Sequence, residues 1–182
     1  MTTRHKKPDI LHREIVAKSR LFQIEQLHLK FSNGVERQYE RMSGGSRGAV
    51  MIVPVHQGQL LLAKEYAAGT DNYELGFPKG LIDPGEEAAE AANRELQEEI
   101  GFASNKLTLL KELSLAPGYF ASKMQIFIAE DLYESRLEGD EPEPIEVIPY
   151  PLEDWQTLLE DADFSESRSV SALFLAQQFL AK

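Results

Sequence analysis

Cysteine is absent from the 182 residues, so no disulfide is available and the fold must be held by its apolar core. That composition suits a reducing cytosol. No apolar run approaches the roughly 18 residues that span a bilayer. The polar, basic residues 1–12 are followed by no apolar stretch of the kind a secretory signal carries. A cytoplasmic protein without a membrane partner is expected. Positive charge is also scarce, since 19 Lys and Arg against 30 Asp and Glu give a net charge of −11. Nucleic-acid binders rely on basic stripes, so nucleic acid is excluded as a general partner. An acidic protein acting on polyphosphates must bring its own counter-charge, and bound metal is the obvious source. Internal repeats, low-complexity tracts and long linkers are missing as well.

Hydrophobic residues at 42% and charged residues at 27% are ordinary for a globular chain, and the length suits one domain with a small N-terminal extension. The cluster Arg4, His5, Lys6 and Lys7 reads as a solvated tail. In residues 21–31, Phe22 and Ile24 alternate with polar residues, and then Leu27, Leu29 and Phe31 do, with a phase shift as at a bulge. Ser32-Asn33-Gly34 signals a hairpin with its return strand at 35–42. The β-branched run 48–56 suits a buried central strand, and Gln57-Gly58-Gln59 turns it into another at 60–66.

A helix is predicted over 86–100, entered through Asp83-Pro84-Gly85 and closed by Gly101. Strands follow at 106–115, 123–131 and, after the acidic, Pro-rich loop 139–144, at 145–150. Helices follow at 152–161 and 165–181, the last carrying Leu173, Phe174, Ala176, Gln177 and Leu180 toward the sheet. Mixed strands with helices on their faces indicate an α/β sandwich.

Residues 80–102 read GLIDPGEEAAEAANRELQEEIGF. On a helix, Glu95, Glu98 and Glu99 are three or four apart and project from one face. Like charges so placed repel, at a few tenths of a kcal/mol per exposed pair. Hard carboxylate oxygens would be reconciled by Mg²⁺ or Mn²⁺ with coordination positions left open. The opposite face, Ala88, Ala92, Leu96 and Ile100, forms an apolar stripe that docks the helix on the sheet. Arg94 is placed to pair with Glu86 and fix the loop against the helix. Glycine and proline between Phe77 and Gly85 are expected to turn the loop tightly and point backbone carbonyls inward. An arbitrary acidic triplet is most often only a solvated helix face. Here the whole 23-residue pattern is filled, with five residues between Gly80 and Glu86 and seven between Glu86 and Arg94.

That pattern satisfies every fixed position of GX5EX7REUXEEXGU and resembles the Nudix hydrolase family. The resemblance implies an α/β/α sandwich with a mixed sheet. It divides the chain into an N-terminal antiparallel β extension, 1–46, and a hydrolase domain, 47–182. By position, Glu95 and Glu99 look like the principal metal ligands, with Glu98 a further ligand or water activator. The Lys79 carbonyl looks like another ligand, and Gly80, Glu86 and Arg94 are structural. Metal-assisted in-line attack on a pyrophosphate is the implied chemistry.

Arg47-Gly48-Ala49-Val50, Lys64-Glu65-Tyr66, Glu74-Leu75-Gly76-Phe77-Pro78 and Ala116-Pro117-Gly118-Tyr119 are similar to segments of the ADP-ribose pyrophosphatase branch. Pro117 stands where that branch has proline, and Tyr119 where dinucleoside-polyphosphate hydrolases have tyrosine. The combination resembles bacterial members acting on ADP-ribose, NADH and diadenosine polyphosphates to release AMP. In two places the chain departs from the branch, with Ala67 after Tyr66 where arginine is common and Ser122 where glutamate is common. A broader substrate range follows, with Lys64 or Lys123 as replacement positive charge. Glu143 matches the general base of the loop before the last strand, ahead of Glu146 and Glu141. Tyr39 and Glu40 match adenine contacts, while Gly118, Tyr119 and Phe120 belong beside the phosphates. The branch further implies a homodimer through the N-terminal strands, with residues near Phe22 or His28 reaching the partner's site. A diadenosine-polyphosphate-selective hydrolase is the nearest rival. A non-catalytic nucleotide or ADP-ribose sensor is the rival from another class, and intact Glu95, Glu98 and Glu99 speak against it.

Overall fold

A computed structural model describes residues 5–43 and 48–182, so Arg4 of the basic tail and Arg47 of the RGAV segment lie outside the described residues. Two compact units result, Met1–Ser46 with Ser114–Ser122, and Arg47–Leu113 with Lys123–Lys182.

The first unit is an antiparallel sheet of three strands, β1 (Asp9–Lys18), β2 (Gln23–Lys30) and β3 (Glu36–Ser43), with β2 in the middle. His5, Lys6 and Lys7 are exposed and outside any strand, as the tail reading expects, and Asp9–Lys18, which no sequence pattern signalled, is a full strand paired along β2. Its alternation is obscured by two irregularities, between Ile10 and His12 and between Ile15 and Ala17. The expected bulge is therefore in β1, opposite Ile24 and Glu25, rather than in β2 itself. The β2–β3 turn forms as expected, with Gly34 at φ +84° and Asn33 Oδ1 accepting from the Val35 amide at 3.1 Å. In the Ser114–Ser122 segment, Tyr119 O accepts from the Met42 amide at 2.8 Å.

The second unit is built on β4 (Ala49–His56), whose Val50, Met51, Ile52 and Val53 are fully buried. One edge of β4 runs parallel to β9 (Lys123–Glu134), which neighbours β8 (Phe102–Ser114). The other edge is shared. Its first half pairs with the short β7 (Lys79–Leu81) and its end with β5 (Gln59–Ala67), both antiparallel. β5 in turn pairs with β6 (Asn72–Gly76) and with β10 (Glu146–Pro151). Residues 79–81 were expected in a loop. Their pairing with Ala49–Met51, extended by an Ile52 amide bond to Pro78 O at 2.9 Å, pins the start of the motif to the central strand.

The motif helix is shorter than its pattern suggests. α1 spans Ala88–Glu95, and Leu96–Ile100 is a π-helical turn closed by Gly101 N–H to Leu96 O at 3.1 Å. Glu86 stays outside the helix, in the preceding turn. Ala91, Ala92, Leu96 and Ile100 pack with Val50, Ile52, Leu61, Ala63 and Phe127 on one face of the sheet, with Ala88 at the margin. Strand alternation turns Met51 and Val53 to the other face, where α3 (Ser167–Leu180) buries Ala172, Leu173 and Ala176. Three α/β/α layers result, as expected. Phe174 is not part of that buried face; it is half exposed, edge-on to Trp155. The helix expected at 152–161 is a 3₁₀ turn, Leu152–Asp154, and one α-turn, α2 (Trp155–Leu158).

Gly101 ends the π turn at φ +85°, and a Cβ there would lie 2.6 Å from the Arg136 guanidinium. Gly101→Ala is expected to cost about 1–2 kcal/mol, read as a lower denaturant midpoint at unchanged m value.

Candidate active site

The loop-helix segment converges on a cleft of about 510 Å³ in the second unit, walled by Lys79, Gly80, Glu95, Glu98 and Glu99 on one side and Glu138–Glu141 on the other. Arg94 organises the helical wall. Its Nε and Nη2 donate to the two Glu86 oxygens at 3.0 and 3.1 Å, and Nη2 also donates to Leu81 O at 3.0 Å. Nη1 donates to Glu95 Oε1 at 2.7 Å and Glu98 Oε2 at 2.9 Å. Glu86 also accepts from the Asp83 amide at 3.0 Å, which closes the turn ahead of the helix. The Arg94 contact, foremost, holds the Glu86 carboxyl below its usual range.

Glu95 and Glu99 are buried, at 7% and 3% exposure. Gly80 faces Glu95 so closely that a Cβ there would lie 2.0 Å from Oε1, so only glycine leaves room for the carboxylate. Burial raises Glu95, outweighing Arg94. Glu99 is pushed up to about 8, burial again leading over the opposing Lys79. Its Oε1 accepts from the Lys79 amide at 3.3 Å, while its buried Oε2 has no hydrogen-bond partner among the described residues. The Lys79 ammonium donates to Glu65 at 2.8 Å. Burial lowers Lys79, but Glu99 and Glu65 together hold it above its usual range.

The donor set fits a hard divalent cation. Two buried carboxylates with an orphaned oxygen cost free energy that a cation would offset. Among the described residues no three acidic, imidazole or thiol side chains yet close around one point as a ligand shell; Arg94 lies between Glu86, Glu95 and Glu98 instead.

Other expected residues fall elsewhere. Glu143 does not line this cleft itself; it accepts from the Tyr73 hydroxyl and lines one neighbouring cavity with Lys64 and another with Glu98 and Glu141. Glu141, ranked behind it by position, does line the cleft. A Cβ at Gly139 would meet Glu141 Oε2 at 2.2 Å and Glu98 Cβ at 3.7 Å, so these two residues flank one backbone. Both candidate cations are engaged, Lys64 by Asp163 at 2.9 Å and the exposed Lys123 by Glu112. Tyr39, Glu40, Pro117, Gly118 and Tyr119 belong to the first unit. There Tyr39 is half exposed and tilted against Phe31, and Tyr119 is largely exposed. Sequence reading missed Glu65, Glu138 and Asp140. Glu65 reaches the cleft only through its tertiary contact with the Lys79 ammonium, which no local pattern signals.

Against known proteins, the chain matches the NUDIX domain over residues 45–174 and the NudE-type Nudix hydrolase N-terminal domain over residues 8–41. The ADP compounds hydrolase NudE of Escherichia coli (strain K12) is 60% identical over 174 residues, 96% of this chain and 94% of that protein. An ADP-ribose pyrophosphatase of Bacillus subtilis (strain 168) is 31% identical over 129 residues, covering 69% of this chain and 70% of its own. A crystal structure of an ADP compounds hydrolase matches with a TM-score of 0.94 at 58% identity, covering 99% of this chain and 97% of the other.

Proposed function

The chain belongs to the Nudix hydrolase family, and from that membership we propose that it hydrolyses ADP linked to a second group, releasing AMP. The observation that carries this reading is the cleft in which Glu95, Glu98 and Glu99 share one wall and a buried Glu99 oxygen lacks a partner. Relatives named for ADP compounds and ADP-ribose supply the substrate class. The catalytic part is residues 47–182, with 1–46 as an extension.

Glu95, Glu99 and the Lys79 carbonyl would hold a divalent cation, Mg²⁺ or Mn²⁺, with Glu98 beside them. Such an ion supplies charge for pyrophosphate oxygens and acidifies a bound water. The chain's own part is positional. Arg94 and Glu86 lock the loop to the helix, Gly80 admits the Glu95 carboxylate, and Lys79 orients Glu99. Glu141, across the cleft, takes the proton of the attacking water at its carboxylate. Glu141→Gln is expected to lower kcat about 100-fold and to remove the acid limb of its pH profile, whereas Glu143→Gln changes kcat less than about fivefold. The reverse ranking would return the base to Glu143.

The partner, in this reading, is a second copy of the chain. β1 is an edge strand bearing half-exposed Ile10, Leu11, Ile15 and Val16, a surface that pairing would cover. No helix among the described residues is long and apolar enough to cross a membrane, and a cysteine-free chain accords with the cytoplasm.

Product analysis with ADP-ribose, NADH and diadenosine triphosphate at saturating Mg²⁺ tests the function. AMP from each, greatly reduced in Glu98→Gln, is expected. Binding without turnover by the wild type would make the chain a sensor.

A further inference from the structure

The β5–β6 hairpin carries Tyr66 and Tyr73 as a cross-strand pair, ring centroids 5.7 Å apart at 66°. Each hydroxyl is committed to a carboxylate, Tyr66 to Asp71 at 2.6 Å and Tyr73 to Glu143, so the rings are held in place. Both stay nearly half exposed and line a cavity of about 530 Å³ whose far wall is the loop around Pro142 and Pro144. Nothing in the proposed hydrolysis uses these rings.

The charge of the cavity narrows what enters it. Five carboxylates, Glu65, Glu141, Glu143, Glu146 and Asp163, face one cation, Lys64, already tied to Asp163. A phosphate would be repelled from such a lining. Ribose hydroxyls would find acceptors there, and a flat base would find tyrosine faces. The cavity adjoins the motif cleft, because Glu65 and Glu141 line both.

We infer that this cavity receives the nucleoside carried beyond the pyrophosphate, its base against Tyr66 and Tyr73, and rejects a terminal phosphate. The inference rests on the ADP-compound reading and adds which part of the substrate is read, and by what.

Tyr73→Leu and Tyr73→Phe test it, since only the first removes the ring. In Tyr73→Leu the KM for NADH is expected to rise about tenfold, the scale of one lost base–aromatic contact. The KM for ADP-ribose, which has no base on its second ribose, changes less than about twofold. Tyr73→Phe keeps the wild-type ratio between the two substrates. In parallel, NADH fluorescence is titrated with wild type and both variants under chelator, where nothing turns over. An enhancement present in wild type and Tyr73→Phe but lost in Tyr73→Leu supports the cavity even if the wild type hydrolyses neither substrate, in which case only the enzymatic reading falls. Equal KM increases for both substrates, or fluorescence unchanged in Tyr73→Leu, would overturn the inference while AMP release by the wild type upholds the reading.

Discussion

In Glu99→Gln, hydrolysis is expected to fall at least about 100-fold while the chelated protein becomes more stable above neutral pH. The two effects have one origin. Even second-sphere partners of a metal site are worth about 10–100-fold, so if Glu99 holds the cation as proposed, losing its charge sets that loss as a minimum. The stability effect follows from burial, which pushes the Glu99 carboxyl up to about 8 from an ordinary 4.5. A raised folded-state value means the native protein binds the proton more tightly than the unfolded chain does. The associated stability is full below about pH 4.5 and is lost as pH rises through 8. Charging Glu99 in the metal-free protein therefore costs about 2–5 kcal/mol by pH 9. The glutamine variant never charges. It keeps an acceptor for the Lys79 amide, and Lys79 keeps Glu65. Urea unfolding under chelator at pH 5 and pH 9 measures this, with a fall for wild type that is smaller by that amount in the variant. Divalent metal should reverse the order, stabilising the wild type by mass action and the variant little. Parallel pH slopes in the two proteins would mean that Glu99 is solvated and the buried-carboxylate account is wrong.

What was legible in the sequence was whatever depends on local period and fixed spacing. The Val50–Val53 run, the Asn33-Gly34 turn and the Ala92, Leu96, Ile100 stripe each state their burial within a few residues. What escaped depends on partners far along the chain. β1 was hidden because its irregular register breaks the alternation, and β7 because three residues carry no period at all; both exist only through their pairing with β2 and β4. The π turn is invisible to a pattern count, since Leu96 and Ile100 remain buried in either helix type. At the site, the Gly80-to-Phe102 spacing named the carboxylate wall, while the acidic loop offered both Glu141 and Glu143. Two residues in an acidic, Pro-rich loop are indistinguishable by composition. Their surroundings differ in the fold, since Tyr73 binds Glu143 while Glu141 lies against Gly139 and lines the cleft.

Arg94→Lys is expected to destabilise the chain and weaken catalysis together. The guanidinium serves Glu86 through two parallel bonds, Leu81 O, Glu95 and Glu98 at once, with the side chains only 10–25% exposed. Lysine keeps the charge but is a point donor that cannot span loop and helix together. Some of the three partly buried carboxylates are then left without a counter-ion, a situation that costs about 2–4 kcal/mol. For a chain of this size the melting temperature should drop by roughly 5–15 °C, and kcat/KM by more than tenfold as Glu95 and Glu98 lose their positions. Glu86→Gln separates the two roles. It weakens the loop attachment but leaves Arg94 on Glu95 and Glu98, so stability should fall by about 1–2 kcal/mol with a much smaller kinetic loss. A double-mutant cycle over Arg94 and Glu86 should show coupling of at least about 1 kcal/mol. If Arg94→Lys instead stays within about 0.5 kcal/mol of wild type, as an exposed substitution would, the carboxylates are an ordinary solvated helix face and the arginine-centred architecture of the site is refuted.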